Sequence, residues 1–399
     1  MANTNLTIDE ITQSGLMILH QKLRFLGGVV RDYDDSYAVI GAKIGDTLRV
    51  RLPNQYTVRT GRTIDVQDQT ERKVDLQVAT QKGVDVEYTS EELALDIDEF
   101  EKRILEPQMS VLASVIEADA LQTMTKEVYQ LVDDDGAAFD FHTVMQGKQK
   151  LDEALAPEDE QRTALLSPGH STTLVDQLKG LFNDRQEISR MFKEGVMGHS
   201  AGFDFVQSTH VIDHTTGTGA EGDTSYNING ANQTGATITV DTGTTTFALG
   251  DVVTLAGCNR VHPETKVDTG VLQQFVITAA AAATATSLSI SPSIVITGGN
   301  QNVFASPTNA GAVNKIGAGN AELLNGTLVY HKEAFAFATA DLRLPGGQTI
   351  ASRQNFEGIS MRLVQGYDIT NDSFPHRWDV LYGFKAIRPE LAVRLHADG

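Results

Sequence analysis

Residues 234–257 read TGATITVDTGTTTFALGDVVTLAG, and this stretch decides the fold. Thr, Val and Ile recur in short runs, and Gly and Asp punctuate them. β-branched residues fit a pleated surface, while Gly and Asp supply the turns between strands. The pattern continues in LQQFVITA (272–279) and TSLSISPSIVI (286–296). Charge changes over the same region: between Glu194 and Tyr330 the only basic residues are Arg260, Lys266 and Lys315, whereas the flanks carry Lys and Arg at ordinary density. The segment therefore reads as a compact all-β module, a small barrel or sandwich.

Working outward, both flanks mix helix and strand. Toward the N-terminus, DTLRVRLP sets Leu48, Val50 and Leu52 against Arg49 and Arg51, and RKVDLQVAT sets Val74, Leu76 and Val78 against Asp75, Gln77 and Ala79. Two period-two runs joined by a polar stretch containing Gly61 predict a long hairpin with one charged face. A lone hairpin is marginal in water, so it must lie on the body of the fold or on a neighbour.

The period then becomes helical. Leu105, Met109, Leu112, Ile116, Ala120, Met124 and Val128 recur at three- and four-residue steps. Thr89 or Ser90 can cap a first short helix ending near Leu105, with Glu91 and Glu92 in its first turn. Pro107 interrupts the ladder and is tolerated in the first turn of a second, long helix from Pro107 to about Leu131. Asp133 to Gly136 read as a turn. Then follow an amphipathic helix (Phe141 to Leu155), an extended TALLSP, a helix from about Ser171 to Leu181, and the extended FDFVQSTHVID.

Beyond the β module, GTLVYHKEAFAFAT is extended, and RWDVLYGFKAIRPELAVRL reads strand, turn, strand around Arg388-Pro389-Glu390. Because α+β patterning resumes there, the β module is an insertion into an α+β body.

Composition narrows the function. The chain has 399 residues, 41% hydrophobic, with 32 Lys+Arg against 52 Asp+Glu and a net charge of -20. That apolar fraction can build a real core, which excludes a disordered chain. Cys258 alone permits neither an intrachain disulfide nor a cysteine zinc cluster, which suits a reducing compartment. The start has neither a basic n-region nor a long apolar run, so neither a signal peptide nor a membrane anchor is expected. The acidic balance disfavours clinging to nucleic acid or anionic lipid.

Motifs for chemistry fail on context. Gly217 to Gly222 match G-x-G-x-x-G, but the following DTSYNINGANQTG cannot be a stable helix, so a loop at a domain junction is the reading. His210 and His214 flank Asp213 without an evident third metal ligand. Ser167 and His170 lack a nucleophile elbow, Asp133 to Asp135 lack the spacing of a calcium loop, and Cys258 reads as a small buried thiol. No catalytic, metal-binding or cofactor-binding residue is assigned, and no cofactor is expected. Arg49, Arg51, Arg59, Arg62, Arg72 and Lys73 concentrate positive charge on the hairpin. They read either as a solvated strand face or as an arm meeting an acidic neighbouring copy.

Taken in order, these elements resemble the coat proteins of tailed bacteriophages, specifically the P22-type with an extra β domain. The resemblance rests on GDTLRVRLP (45–53), EEL (91–93), LLSPGHSTTLVDQLKGLF (165–182), GVMGHSAGFDFVQS (195–208), ALGDVVTLAG (248–257) and WDVLYGFKAIRPELAV (378–393). YGFKAIRPE (382–390) and AGFDFV (201–206) are the best local matches.

The resemblance implies an α+β, HK97-like capsid fold with an inserted barrel-like β domain. It divides the chain into an N-terminal arm (1–40), an extended loop hairpin (41–88), a spine helix of the peripheral domain (89–132), axial domain (133–221), inserted domain (222–318) and the remaining axial and peripheral parts (319–399). It further implies a non-catalytic major capsid protein of the virion, assembled in the host bacterial cytoplasm. Its partners would be itself, as hexamers and pentamers of an icosahedral shell, and scaffolding protein and portal during assembly, with room for a decoration protein. It would enclose double-stranded DNA without sequence-specific binding and would not engage a membrane. Lys-Asn crosslinks, which some proteins of this fold form, are not expected. Two other classes compete: an adhesion, ligand-binding or tail-associated structural protein using the Thr-rich module, and a hydrolase using convergent carboxylates.

Overall fold

The computed structural model describes residues 8–34, 47–64, 66–67, 71–89, 101–178, 198–211, 213–241, 243–317, 321, 323–324, 326–346, 350–370 and 373–398. The chain forms two compact units: residues 1–50, 74–120 and 335–387, and residues 51–73, 121–334 and 388–399.

The first unit is built on a six-stranded sheet in the order Val30–Asp34, Phe335–Ala340, Ser373–Ala386, Ile359–Gln365, Ile350–Phe356, with Thr80–Thr89 along the other edge of Ser373–Ala386. Only Val30–Asp34 and Phe335–Ala340 pair in parallel. Trp378, Val380 and Tyr382 of the central strand are buried, as are Leu16 and Leu19 of the helix Ile8–Lys22, which packs on the two outer hairpin strands. Gly15 makes room for that packing, since a Cβ there would lie 3.2 Å from the Trp378 ring.

The long helix runs Glu106–Thr125, after a π-helical turn at Glu101–Leu105. Pro107 sits in its first turn, as its missing N–H requires. All seven apolar positions read from the sequence are buried, which confirms the face. The helix stops before the expected Leu131, because Leu131 is already the first residue of a strand. On the same helix the buried Glu117 accepts from the backbone N–H of Arg24 at 2.9 Å and of Phe25 at 2.7 Å, fixing the turn after the N-terminal helix. Of the expected cap candidates, Thr89 ends the strand Thr80–Thr89, and Ser90 with Glu91 and Glu92 lies outside the described residues.

The second unit contains a six-stranded sheet in the order Leu131–Ala138, Ala392–Asp398, Gly326–His331, Arg162–Leu166, Phe203–Gln207, His199–Ser200. Helices Phe141–Glu153 and Pro168–Leu178 belong to the same unit, and Asp140 caps the first by accepting from the Thr143 N–H at 2.8 Å. The expected turn at Asp133 to Gly136 is instead part of the edge strand Leu131–Ala138. Acidic residues are tolerated there because Asp133 accepts from the Gly317 N–H at 3.0 Å and Asp134 from the Thr143 hydroxyl at 2.7 Å.

The inserted module has five strands in the order Gly235–Thr239, Ser287–Ile294, Asp268–Ile277, Val252–Val261, Val313–Ile316. Its two edges are joined by residues 226–229. Asn229 N–H donates to the Thr239 carbonyl and Asp241 N–H to Asn227, while Ile228 N–H donates to Gly311 and Val313 N–H to Tyr226. The sheet thereby closes into a barrel with no free edge. Tyr226, Ile238, Phe247, Leu255, Cys258, Phe275, Leu288 and Val313 are among the side chains that fill it. Burial pushes the Cys258 thiol pKa up to about 12, so it is a packed, unreactive group.

Candidate assembly surfaces and the root of the inserted barrel

The hairpin pairs Thr47–Arg51 with Lys73–Gln77. Its exposed face carries cross-strand rungs: Arg49 lies 4.0 Å from Asp75, and Arg51 3.6 Å from Glu71. Arg59 donates to the Gly61 carbonyl and closes the tip turn, where Gly61 takes a φ of +101°. Gln67 clamps Thr57, accepting its N–H at 2.9 Å and donating back to its carbonyl. Arg62 and Lys73 are exposed and form no ion pair among the described residues. Arg72 is half-buried and close enough to Lys266 of the barrel to help lower that lysine's pKa, after burial itself.

The candidate basic residues thus divide. Two are tied to carboxylates within the hairpin, one shapes the tip, and the others remain available. Over residues 47–77 the sequence holds six basic residues and four acidic ones, Asp65, Asp68, Glu71 and Asp75, so the hairpin is net positive in an acidic chain.

Sequence reasoning missed the apolar side chains among these charges. Tyr56, Val58, Ile64 and Val66 are 58%, 96%, 77% and 84% exposed. Their spacing, Tyr56-x-Val58 and Ile64-x-Val66, is the period-two signal of one strand face. Four large apolar side chains are thus exposed on one arm, while the backbone at Gln55 approaches Gly299 of the barrel, where a Cβ would collide with the Gln55 carbonyl oxygen.

The root of the barrel is polar and buried. Asp251 is the centre: its Oδ1 lies 2.8 Å from His214 Nε2, and its Oδ2 accepts from the N–H groups of Gly217 at 3.0 Å and Ala248 at 2.8 Å. Lys315 donates to the Gly217 carbonyl at 2.9 Å and to the Thr216 hydroxyl at 3.3 Å. The Gln274 side chain bonds both backbone groups of Leu131 at 2.9 Å, and Arg260 pairs with Glu153.

These contacts absorb the motifs that looked chemical. His214 is engaged with a carboxylate rather than with His210. Gly217 is needed for close approach, since a Cβ there would meet the Phe247 Cα at 2.8 Å. Among the described residues no group of three or more His, Cys, Asp or Glu could hold a metal, and no helix is long and apolar enough to cross a membrane.

An open groove of about 710 Å³ is lined by Met145, Lys148, Asp152, Glu153, Arg260 and Val271, among others. Burial works to raise the Glu153 pKa, but hydrogen bonds from Arg260 and Gln149 outweigh it and hold the carboxyl below its usual range. Asp152 is paired with the buried Arg162 at 2.6 Å. Both carboxylates of this groove are thus matched to arginine cations.

The family model described as P22 coat protein, gene protein 5, matches residues 35–396. No curated protein sequence matches. Similar solved structures include that of Mycobacterium phage Che8 (13% identity, 94% of this chain and 90% of that one, TM-score 0.47). The mature capsid of bacteriophage PhiM1 (11%, 94% and 87%, 0.44) and the capsid of Ralstonia phage GP4 (8%, 99% and 94%, 0.45) are others. The family match carries the assignment: the chain, an α+β body with an inserted β barrel, belongs to the P22 coat protein family and is a structural capsid subunit of a virion.

Proposed function

We propose that copies of this chain close as hexamers and pentamers into an icosahedral shell, first around scaffolding protein as a procapsid and then expanded as double-stranded DNA enters through a portal. Assembly takes place in the host bacterial cytoplasm, and the subunit performs no catalysis. The observation that carries this reading is the exposed apolar tip of the hairpin, Tyr56, Val58, Ile64 and Val66, on an element that two strands alone cannot stabilise. The tip docks on a second copy, and Arg59, Arg62, Arg72 and Lys73 orient it by charge, with Arg49 and Arg51 stiffening the arm. The net charge of -20 keeps free subunits apart and gives the shell no affinity for the DNA backbone.

The division of labour follows the boundaries read from the resemblance: arm 1–40, loop 41–88, spine 89–132, axial 133–221, inserted barrel 222–318, and axial and peripheral remainder 319–399. Negative-stain microscopy of the expressed protein, with and without a scaffolding partner, tests the reading. Closed shells, sheets or tubes are expected. Small discrete oligomers under every condition would reject it.

A further inference from the structure

The buried polar groups where the barrel leaves its supporting sheet are not all satisfied. Arg394, on the strand Ala392–Asp398, is 3% exposed. One terminal nitrogen donates to the Gly250 carbonyl at 2.8 Å, while its Nε has no hydrogen-bond partner among the described residues. The carboxylate that acts on it electrostatically, Asp251, has both oxygens engaged by His214 Nε2 and the N–H groups of Gly217 and Ala248. Arg394 is thus a buried cation whose nearby carboxylate is committed elsewhere, an arrangement in which desolvation is poorly offset. Burial pulls its pKa down to about 10, in keeping with that position.

Two residues along the strand, His396 is equally buried, and its Nδ1 also has no partner among the described residues. Both residues line one small cavity of about 20 Å³, together with His214, Lys126, Thr327 and Gln122. That volume holds one water-sized particle. The wall sets the cationic or N–H-donating Arg394, His396, His214, Lys126 and Gln122 among the apolar Leu121, Val211 and Leu328, and the carboxylate in its lining, Asp213, is exposed and therefore screened by solvent.

We propose that this cavity is a binding site for one small monovalent anion of chloride size, the contact counter-ion that Arg394 lacks. The anion accepts from Arg394 Nε and His396 Nδ1. It thereby holds Arg394 on the Gly250 carbonyl and pins the turn before the barrel strand Val252–Val261 to the last strand of the supporting sheet.

Thermal unfolding of the full-length subunit in potassium chloride, potassium bromide and potassium gluconate at one fixed ionic strength tests the site. Each halide is expected to raise Tm over gluconate by roughly 2–4 °C, saturating with concentration. Crystals soaked in bromide are expected to show an anomalous peak within hydrogen-bond distance of Arg394 Nε and His396 Nδ1. Because Arg394→Gln threatens folding outright, the companion variant is His396→Leu, which removes one donor and fills the cavity; it is expected to fold and to lose the halide response. Equal Tm in halide and gluconate overturns the proposal, as does a water without anomalous signal in the cavity. A full halide response in His396→Leu overturns it as well, because that response would then be a general salt effect.

Discussion

In the inserted barrel fifteen buried side chains from Tyr226 to Val313 meet in one core, and residues 226–229 close both sheet edges. The hairpin at Thr47–Arg51 and Lys73–Gln77 has only two strands, and its tip holds Tyr56, Val58, Ile64 and Val66 out to solvent. Both are β elements punctuated by Gly, and both are read easily as strands. One buries its apolar residues within itself, whereas the other leaves Val58, Ile64 and Val66 largely exposed among the described residues. The closed sheet supplies folding stability, and the open arm is where we place association.

The largest expected effect breaks the comparison at the arm. Val58→Asp with Val66→Asp should cut the yield of shells at least ~10-fold while leaving the subunit's Tm unchanged, because a charged tip removes the apolar anchor of an interface and nothing from a core. Light scattering and microscopy of assembly reactions measure the first, and calorimetry the second. A matching loss of Tm would mean that the strip packs within its own subunit.

The barrel should respond in the opposite way. Phe275→Ala removes a fully buried ring and should cost about 3–5 kcal/mol in denaturant unfolding. Residues 222–318 expressed alone should show a cooperative transition that this substitution abolishes or shifts. Non-cooperative melting of the wild-type fragment would show that the barrel leans on the rest of the chain.

Acid should separate the barrel from its support. Burial lowers the pKa of His170, His376 and His396, so folding favours their neutral forms. Their contribution is complete above the unfolded histidine pKa, ~6.5, and is lost as pH falls from there toward the depressed folded values. The loss is about 1.4 kcal/mol per pH unit for each group. The fragment 222–318 contains a single histidine, His262, and none of these three. Between pH 7 and pH 5 the full-length Tm should fall while the fragment's holds; equal sensitivity in both would refute the assignment.

The smallest effect belongs to the arginine rungs. Arg49 and Arg51 face Asp75 and Glu71 across the hairpin as exposed pairs, the kind worth about 0.2–1 kcal/mol. Arg49→Glu with Arg51→Glu should lower shell yield by ~5-fold at most and leave solubility intact. A larger loss than the tip substitutions cause would restore these two arginines to the interface itself.

Period alone carried much of this architecture. The seven buried positions of the spine, from Leu105 to Val128, follow from helical spacing, because one face of a helix must be dry. The alternation Val74, Leu76, Val78 gave the inward side of the hairpin, since a strand turns every second side chain inward. The acidic run at Asp133 misled, because a turn-forming composition can sit in an edge strand when its carboxylates find donors as distant in sequence as Gly317. The root network around Asp251 was invisible for the same reason: His214 and Gly217 lie more than thirty residues from Asp251 and meet it only through folding, whereas the Ala248 contact is local.

What the amino-acid sequence by itself determined, then, is the local order of elements, the break in composition that marks an inserted β module, and a family resemblance spread over nearly the whole chain. These are properties of neighbouring residues and their spacing. Tertiary structure alone decided that the module closes into a barrel, that Arg49 and Arg51 are matched within the hairpin, and that Arg394 and His396 share a buried cavity. Each depends on distances between residues far apart in the chain, where burial and hydrogen-bond geometry rather than propensity set the outcome.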